Sequence, residues 1–93
     1  MKKLQLRSRV EADRSTGEIL AVYFQVRKGH AARVIELADG NAFANYDRNG
    51  LLLGIELLAP CNIAVFDQVT RMEPKEVKEF LRDKIPLEMA KGA

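Results

Sequence analysis

A tight turn followed by an unbroken apolar run constrains the fold of this chain more than any other feature. The turn has the sequence DRNG, at residues 47–50, and the run LLLGIELL follows at once, at residues 51–58. Asp at the start of a turn accepts backbone hydrogen bonds, and Asn and Gly tolerate the positive φ that reverses the chain. Because apolar residues occupy both parities of the run, we predict a central strand that is covered on both faces.

The two faces of this predicted strand differ in character. One is purely apolar, and we assign it to the core: Leu51, Leu53, Ile55 and Leu57. The other combines two leucines with a glycine and an acid: Leu52, Gly54, Glu56 and Leu58. Gly54 has no Cβ, so either a neighbouring group packs closely there or the strand bends. Glu56 is expected on the less buried side, exposed or in an ion pair with Arg27 or Arg33.

Alternation of polar and apolar residues predicts four earlier strands. In the first, residues 3–10, the apolar parity comprises Leu4, Leu6 and Val10. After the turn at 13–17 a second strand places four apolar residues inward: Leu20, Val22, Phe24 and Val26. Its opposite face comprises Ala21, Tyr23, Gln25 and Arg27. Residues 31–38 fit a strand or, being rich in alanine, a helix, and the Asp39-Gly40 hairpin signal that follows favours a third strand. Residues 41–47 give a fourth strand.

The pattern changes after Cys61. Residues 62–72 fit either a short helix capped by Asn62 or a sixth strand. Residues 74–85 predict a helix, which begins at a proline and carries one apolar stripe: Val77, Phe80, Leu81 and Ile85. Such a stripe usually covers its own sheet, although it could also dock in a partner's groove. The predicted fold is therefore α+β, an antiparallel β-meander of about five strands with a C-terminal α-helix packed on one face.

Length, charge and cysteine content limit the classes of function. The 93 residues predict a single domain, 1–93, with a net charge of +2. Residues 1–33 hold eight Lys and Arg against three Asp and Glu, whereas residues 34–93 hold seven against ten. The single cysteine, Cys61, excludes an intrachain disulfide and a zinc site built on paired cysteines. No signal-peptide pattern and no run of about 18 apolar residues is present, so we expect a cytoplasmic protein without membrane contact.

Three segments together resemble domain-of-unknown-function family 2283, a group of small, mostly bacterial proteins. They are AVYFQV, with its Tyr-x-x-Val, then VIELADG, and above all YDRNGLLLGIELL. The family shows an acidic turn ending in glycine, followed by an apolar strand that carries Gly-Ile-Glu. The matching positions are Asp47, Gly50, Gly54, Ile55 and Glu56. We take these five as the candidate interface or motif residues.

The resemblance covers roughly residues 8–60, and the C-terminal segment lies outside it. Asn45 stands where the family often has an acid. The tyrosine-aspartate element that opens the family's pattern is matched only poorly here, by the sequence EADRSTG. The resemblance implies a compact β-rich fold with a helix, and it brings no established activity. Some relatives are suspected to be antitoxin-like partners of small toxin-like proteins.

Few residues are candidates for catalysis or for binding a cofactor. Glu56 would need a second carboxylate or a histidine in reach to act as an acid or base, and one carboxylate is not a catalytic constellation. His30 and Cys61 are the only His and Cys and could pair as base and nucleophile, but no oxyanion-hole motif accompanies them. Three oxygen-bearing turn residues lack calcium-loop spacing: Asp39, Asp47 and Asn49. Glycine-rich phosphate loops are absent. We therefore expect no enzyme activity, no cofactor and no metal.

The N-terminal cations have two interpretations. They are Lys2, Lys3, Arg7, Arg9 and Arg14. They could contact phosphate, or they could be solvated side chains that discourage edge-to-edge strand pairing. The near-neutral net charge and the lack of a nucleic-acid-binding motif favour the second interpretation.

The predicted function is a small non-catalytic interaction module that forms a homodimer through the face carrying Gly54 and Glu56. The alternative is an antitoxin-like or regulatory protein that binds a small partner protein, with weak nucleic-acid contact through the basic N-terminal residues. An enzyme that uses Glu56, or His30 with Cys61, is the third and least favoured hypothesis.

Overall fold

A computed structural model describes residues 3–37, 40–59 and 64–85 of the chain. Five strands form one antiparallel sheet: β1 Arg7–Ala12, β2 Ile19–Gln25, β3 Arg33–Leu37, β4 Ala42–Tyr46 and β5 Leu52–Leu58. Two helices follow, α1 Ala64–Val69 and α2 Lys75–Lys84. The predicted α+β class, with an antiparallel sheet and a C-terminal helix, is confirmed. Within the ambiguous segment 62–72, residues 64–69 are helical, while the proposed cap Asn62 lies outside the described residues.

The order of the strands in the sheet is β1-β2-β5-β4-β3. The last three strands follow one another as a meander, and β5 then pairs with β2. The sheet therefore departs from sequential order at one connection, between β2 and β3. As predicted, β5 is the central strand, and five of its seven residues are buried. Burial on both faces is the reason that its sequence is apolar at both parities.

The core lies on one face of the sheet, and both helices pack against it. The sheet and the residue that follows β2, Val26, contribute eight of its members, the others being Val22, Phe24, Ala42, Ala44, Leu52, Ile55 and Leu57. The helices contribute Val65, Phe66, Val77 and Leu81. The ring of Phe24 meets those of Phe66 and Phe80 edge-on, with centroids 5.6 and 6.1 Å apart. The apolar stripe of α2 thus covers its own sheet.

A register shift near the start of β2 changes which residues face the core. Glu11 pairs with Ala21, but Ala12 pairs with Ile19, so Leu20 is passed over. An extra residue in one strand reverses the alternation beyond it. Ile19 consequently packs against the core, and Leu20 is 44% exposed. The prediction that Leu20 points inward is wrong for this reason.

A second shift changes the core face of β5. Asn45 pairs with Gly54, whereas Tyr46 pairs with Leu52, so the pairing passes over Leu53. Leu52 therefore joins the core cluster together with Ile55 and Leu57. Leu53, predicted to be in the core, is buried although it lies outside this cluster. The predicted core face was wrong in Leu51, which is only partly buried, and in leaving out Leu52.

The edge strand β1 is exposed along its whole length. The residues Leu4 and Leu6 precede it and pack against the core, as their parity predicted. Val10 is 49% exposed and does not reach the core, which corrects its predicted inward position. No helix in the described ranges is long and apolar enough to cross a membrane.

Candidate interaction surface

The sheet has a second face, directed away from the helices, which we call the open face. It carries every other residue of the three inner strands: Ala21, Tyr23, Gln25, Phe43, Asn45, Gly54, Glu56 and Leu58. The edge strands add Arg7, Arg9, Glu11, Val34 and Glu36. The side chains of Tyr23, Phe43 and Leu58 are only partly buried. The open face therefore offers aromatic and aliphatic surface at its centre and charge at both sides.

The register of the strands places five of these residues in one row across the sheet. In order from β1 to β3 they are Arg9, Tyr23, Glu56, Phe43 and Glu36. The guanidinium group of Arg9 lies over the Tyr23 ring, 5.8 Å from its centroid. The row thus begins with a cation, ends with an anion, and has Glu56 at its middle between two aromatic rings.

Tyr23 covers the backbone of Gly54, its diagonal neighbour on β5. A Cβ atom added to Gly54 would lie 2.8 Å from Cζ of Tyr23 and 2.8 Å from the carbonyl oxygen of Phe24. Of the two alternatives expected for Gly54, close packing by a neighbour is therefore observed. An aromatic ring laid over a strand glycine also shields the backbone that the glycine leaves uncovered.

Glu56 lies on the open face, as predicted from its parity. It stands opposite Tyr23 on one side and Phe43 on the other. Neither arginine considered as a partner is beside it, since Arg33 lies over the ring of Tyr46 and Arg27 lies on the other side of the sheet. Glu56 is partly exposed, with no ion pair to another described residue.

A β-bulge turns Arg27 away from the open face. The N–H groups of Val26 and Arg27 both donate to the carbonyl oxygen of Leu53, at 2.8 and 3.1 Å. Arg27 then donates from Nη1 to the Leu52 carbonyl oxygen at 2.9 Å, and from Nη2 to Oε1 of Glu73 at 2.8 Å. The prediction that Arg27 shares a face with Tyr23 and Gln25 is wrong because of this bulge.

The turn motif has a structural role that its composition predicted. Oδ1 of Asp47 accepts hydrogen bonds from the N–H groups of Asn49 and Leu51, at 2.8 and 3.0 Å. The N–H group of Gly50 donates to the Asp47 carbonyl oxygen, and Gly50 has φ of +83°. Asp47 is buried, with 5% of its surface exposed. These contacts hold the start of β5 in register.

The five motif residues consequently do not form one site. Gly54 and Glu56 lie together on the open face, whereas Ile55 is fully buried in the core on the other side. Asp47 and Gly50 lie in the turn at the end of the sheet. Only Gly54 and Glu56 can belong to an interaction surface on the open face.

The other candidate residues are scattered. His30 is exposed in the loop between β2 and β3, and Cys61 lies outside the described residues, so their pairing is untested. Lys2 also lies outside them, and Arg14 occupies the turn at the opposite end of β1 from Arg7. The ranges that the structure describes contain no group of three or more His, Cys, Asp or Glu suited to a metal ion.

Sequence reasoning missed the contact between Arg27 and Glu73. The two residues are 46 positions apart, and alternation assigned Arg27 to the wrong face. The glycine at position 54 indicated that a neighbouring group packs closely there, but the sequence did not identify this neighbour as Tyr23.

Comparison with known proteins identified no relative of this chain. No family model matches the chain, and no curated protein and no solved structure is significantly similar to it. The resemblance to family 2283 therefore stays a prediction.

Proposed function

We propose that this protein is a small, non-catalytic interaction module that self-associates through the open face of its sheet. The observation that carries the proposal is the row across that face, in which Glu56 lies between Tyr23 and Phe43. Helices α1 and α2 pack on the opposite face, so neither described helix covers these partly exposed rings. Aromatic side chains are enriched in protein interfaces because each contributes a large rigid surface.

The charges at the two sides of the row are complementary between copies. A two-fold axis parallel to β5, lying between two facing sheets, superposes β1 of one copy on β3 of the other. Arg9 then faces Glu36 of the second copy, and the same pair forms a second time across the axis. Stacked sheets lie about 10 Å apart, a separation that the long Arg and Glu side chains can bridge. Tyr23 likewise faces Phe43 of the second copy, which allows ring contacts at the centre.

The size of the face fits a reversible contact. Five strands spaced by about 4.8 Å, each about 20 Å long, give each copy a face of roughly 500 Å² in projection. Such a face belongs to the lower end of specific protein interfaces. The same axis brings the two Glu56 carboxylates near each other, and like charges at a contact oppose association.

Charge exchange at the two sides of the row tests the proposal. We expect the wild-type protein to show a concentration-dependent dimer mass by analytical ultracentrifugation. Arg9→Glu and Glu36→Arg should each weaken the dimer, because each places like charges opposite each other, and the double variant should restore it. Arg14→Glu is the matched control for Arg9→Glu, and Glu76→Arg is the matched control for Glu36→Arg, because each makes the same charge change at an exposed position off the open face.

Two results would contradict the proposal. One is a monomer mass for the wild-type protein at every concentration, and the other is a dimer that Phe43→Lys leaves unchanged. Substitution of Gly54 is not a suitable test, because a side chain there would collide with Tyr23 and with the backbone of β2.

A small partner protein is a second candidate for the same face. The observation that favours it is Glu56, since a partner with a cation opposite this carboxylate would avoid the repulsion present in a self-dimer. The test is affinity capture from the native cells with the wild-type protein and with Glu56→Arg. A stoichiometric small protein that is lost with Glu56→Arg would support this candidate. Recovery of the protein alone would leave self-association as the proposal.

A further inference from the structure

Most of the exposed basic and acidic side chains in the loops lie at opposite ends of the sheet. This separation depends on the fold and is not visible in the linear sequence. One end of the sheet, which we call the basic end, is formed by the loops at 26–32, 47–51 and 70–74. It carries four exposed cations from four different places in the chain: Lys28, Arg33, Arg48 and Arg71. The opposite end of the sheet carries four acids against one exposed cation, Arg14; the acids are Glu11, Asp13, Glu18 and Glu36.

The acidic groups at the basic end are already engaged in the fold. Asp47 is buried and its Oδ1 accepts two backbone hydrogen bonds within its own turn. Glu73 is paired with the buried Arg27 at 2.8 Å. Among the described residues, Glu73 forms no ion pair with the exposed cations of this end. The four exposed cations therefore outnumber the two acids of these loops, both of which already have partners within the fold.

The surface between these cations is concave. Two adjoining depressions, each of about 500 Å³, share the backbone of the turn at Asp47 to Asn49 as a wall. His30 and Arg48 line one of them, and Arg33 and Arg48 line the other. The guanidinium group of Arg33 lies over the Tyr46 ring, 5.5 Å from its centroid, and this contact orders a long cationic side chain. A third depression beside Arg71, of about 440 Å³, extends the same surface toward the helices.

We infer that the basic end binds the phosphate backbone of single-stranded nucleic acid without reading its sequence. Cations on separate loops suit a flexible strand, which can bend to bring successive phosphates to each of them. Within the described ranges no helix projects from this end to enter a groove of a duplex, and Arg33 lies over the ring of Tyr46, so readout of bases is not expected. This surface lies at the end of the strands, apart from the open face, and does not depend on self-association.

The inference differs from the one suggested by the N-terminal cations. Arg7 and Arg14 are close in sequence but lie at opposite ends of β1. Lys28, Arg48 and Arg71, in contrast, are far apart in sequence and lie at the same end of the molecule. The folded arrangement therefore selects the binding residues, of which Lys28 and Arg33 come from the basic residues 1–33 and Arg48 and Arg71 from the rest of the chain.

The experiment measures fluorescence anisotropy of a labelled single-stranded oligonucleotide titrated with the full chain. We expect binding at 50 mM salt that weakens as salt is raised, with a logarithmic slope of about −2 for three phosphate contacts. The double variant Lys28→Glu/Arg48→Glu should weaken binding by about tenfold or more. The double variant Arg14→Glu/Lys84→Glu alters net charge by the same amount at exposed positions away from the three loops of the basic end, since Lys84 is the last residue of α2, and it should retain most of the affinity.

Three outcomes would overturn the inference. The wild-type protein could fail to bind at 50 mM salt. The two double variants could lose the same affinity, which would mean that only the net charge matters. An acidic peptide could displace the oligonucleotide as effectively as an unlabelled oligonucleotide does, which would identify the surface as a site for acidic proteins. Urea unfolding of both variants checks that they are folded, and Lys28→Gln/Arg48→Gln should give an intermediate loss.

Discussion

The ring of Tyr23 on β2 lies over Gly54 on β5 and occupies the space on the open face that a side chain at position 54 would need. A Cβ at Gly54 would meet Cζ of Tyr23 and the carbonyl oxygen of Phe24, both at 2.8 Å. We expect Gly54→Ala to lower the free energy of unfolding by about 2–3 kcal/mol, because the ring and the strand must both shift. Urea unfolding followed by circular dichroism measures this change.

The variant Tyr23→Ala provides the control for this prediction. It removes one of the two obstacles, so Gly54→Ala should cost less in that background than in the wild-type protein, although the Phe24 carbonyl oxygen remains. An equal cost in both backgrounds would show that the ring does not limit the space at Gly54.

The buried pair of Arg27 and Glu73 should contribute strongly to stability. The side chains are 6% and 11% exposed, and the pair joins β2 to the loop that precedes α2. Glu73→Ala leaves a buried cation with only the Leu52 carbonyl oxygen as a described partner, and we expect a loss of about 2–4 kcal/mol in the free energy of unfolding. The exposed pair of Lys75 and Glu79 is the comparison, since Glu79→Ala should cost at most about 0.5 kcal/mol. Similar losses for the two variants would argue against this role of Glu73.

The turn before β5 depends on a glycine at its last position. Gly50 has φ of +83°, a conformation that costs most other residues about 1–2 kcal/mol. We expect Gly50→Ala to lower the free energy of unfolding by that amount, and Gly50→Asn to lower it by less because Asn tolerates this region. No atom lies within 4 Å of the position of a Cβ there, so steric collision does not contribute. Equal losses for the Ala and Asn variants would contradict the backbone explanation.

The first turn should contribute a small pH-dependent stability. Hydrogen bonds from the backbone N–H groups of Thr16 and then Ser15 hold the pKa of the Asp13 carboxyl below its ordinary value. Since the pKa is lowered by folding, this contribution is present above the ordinary pKa of about 3.9 and is lost as the pH falls through the pKa of the folded state. Asp13→Asn should therefore be less stable than the wild-type protein at pH 7, and the difference should shrink in acid. A difference that is independent of pH would count against this cause.

Much of the fold could be predicted from local patterns, because alternation reports which side of a strand is apolar. The central position of β5 followed from its apolar residues on both parities, and the helix over α2 followed from its stripe and its proline. The errors at Leu20, Leu52 and Arg27 all occur beside bulges. A bulge inserts one residue without a distinctive sequence signal, and every assignment of faces beyond it is then reversed.

The surfaces were harder to predict than the fold. The position of Glu56 on the open face followed from parity, but its neighbours Tyr23 and Phe43 come from strands whose register no local pattern specifies. Likewise, the grouping of Lys28, Arg48 and Arg71 depends on three loops that meet only after the chain has folded. Contacts between distant segments are set by the strand order, which the sequence alone did not indicate.

That strand order also determines when the protein can fold during its synthesis. The β1–β2 hairpin and the β3–β4 hairpin share no strand pairing until β5 is placed between them. A nascent chain that ends before Leu52 thus holds two separate ribbons, and isolated hairpins are marginal in water. Residues 52–58 complete the sheet, and the helices that cover its core are made only afterwards. A stable domain therefore requires that the ribosome has released the chain through α2, and a nascent chain that ends between Tyr46 and Leu52 exposes two hairpins with unpaired edges.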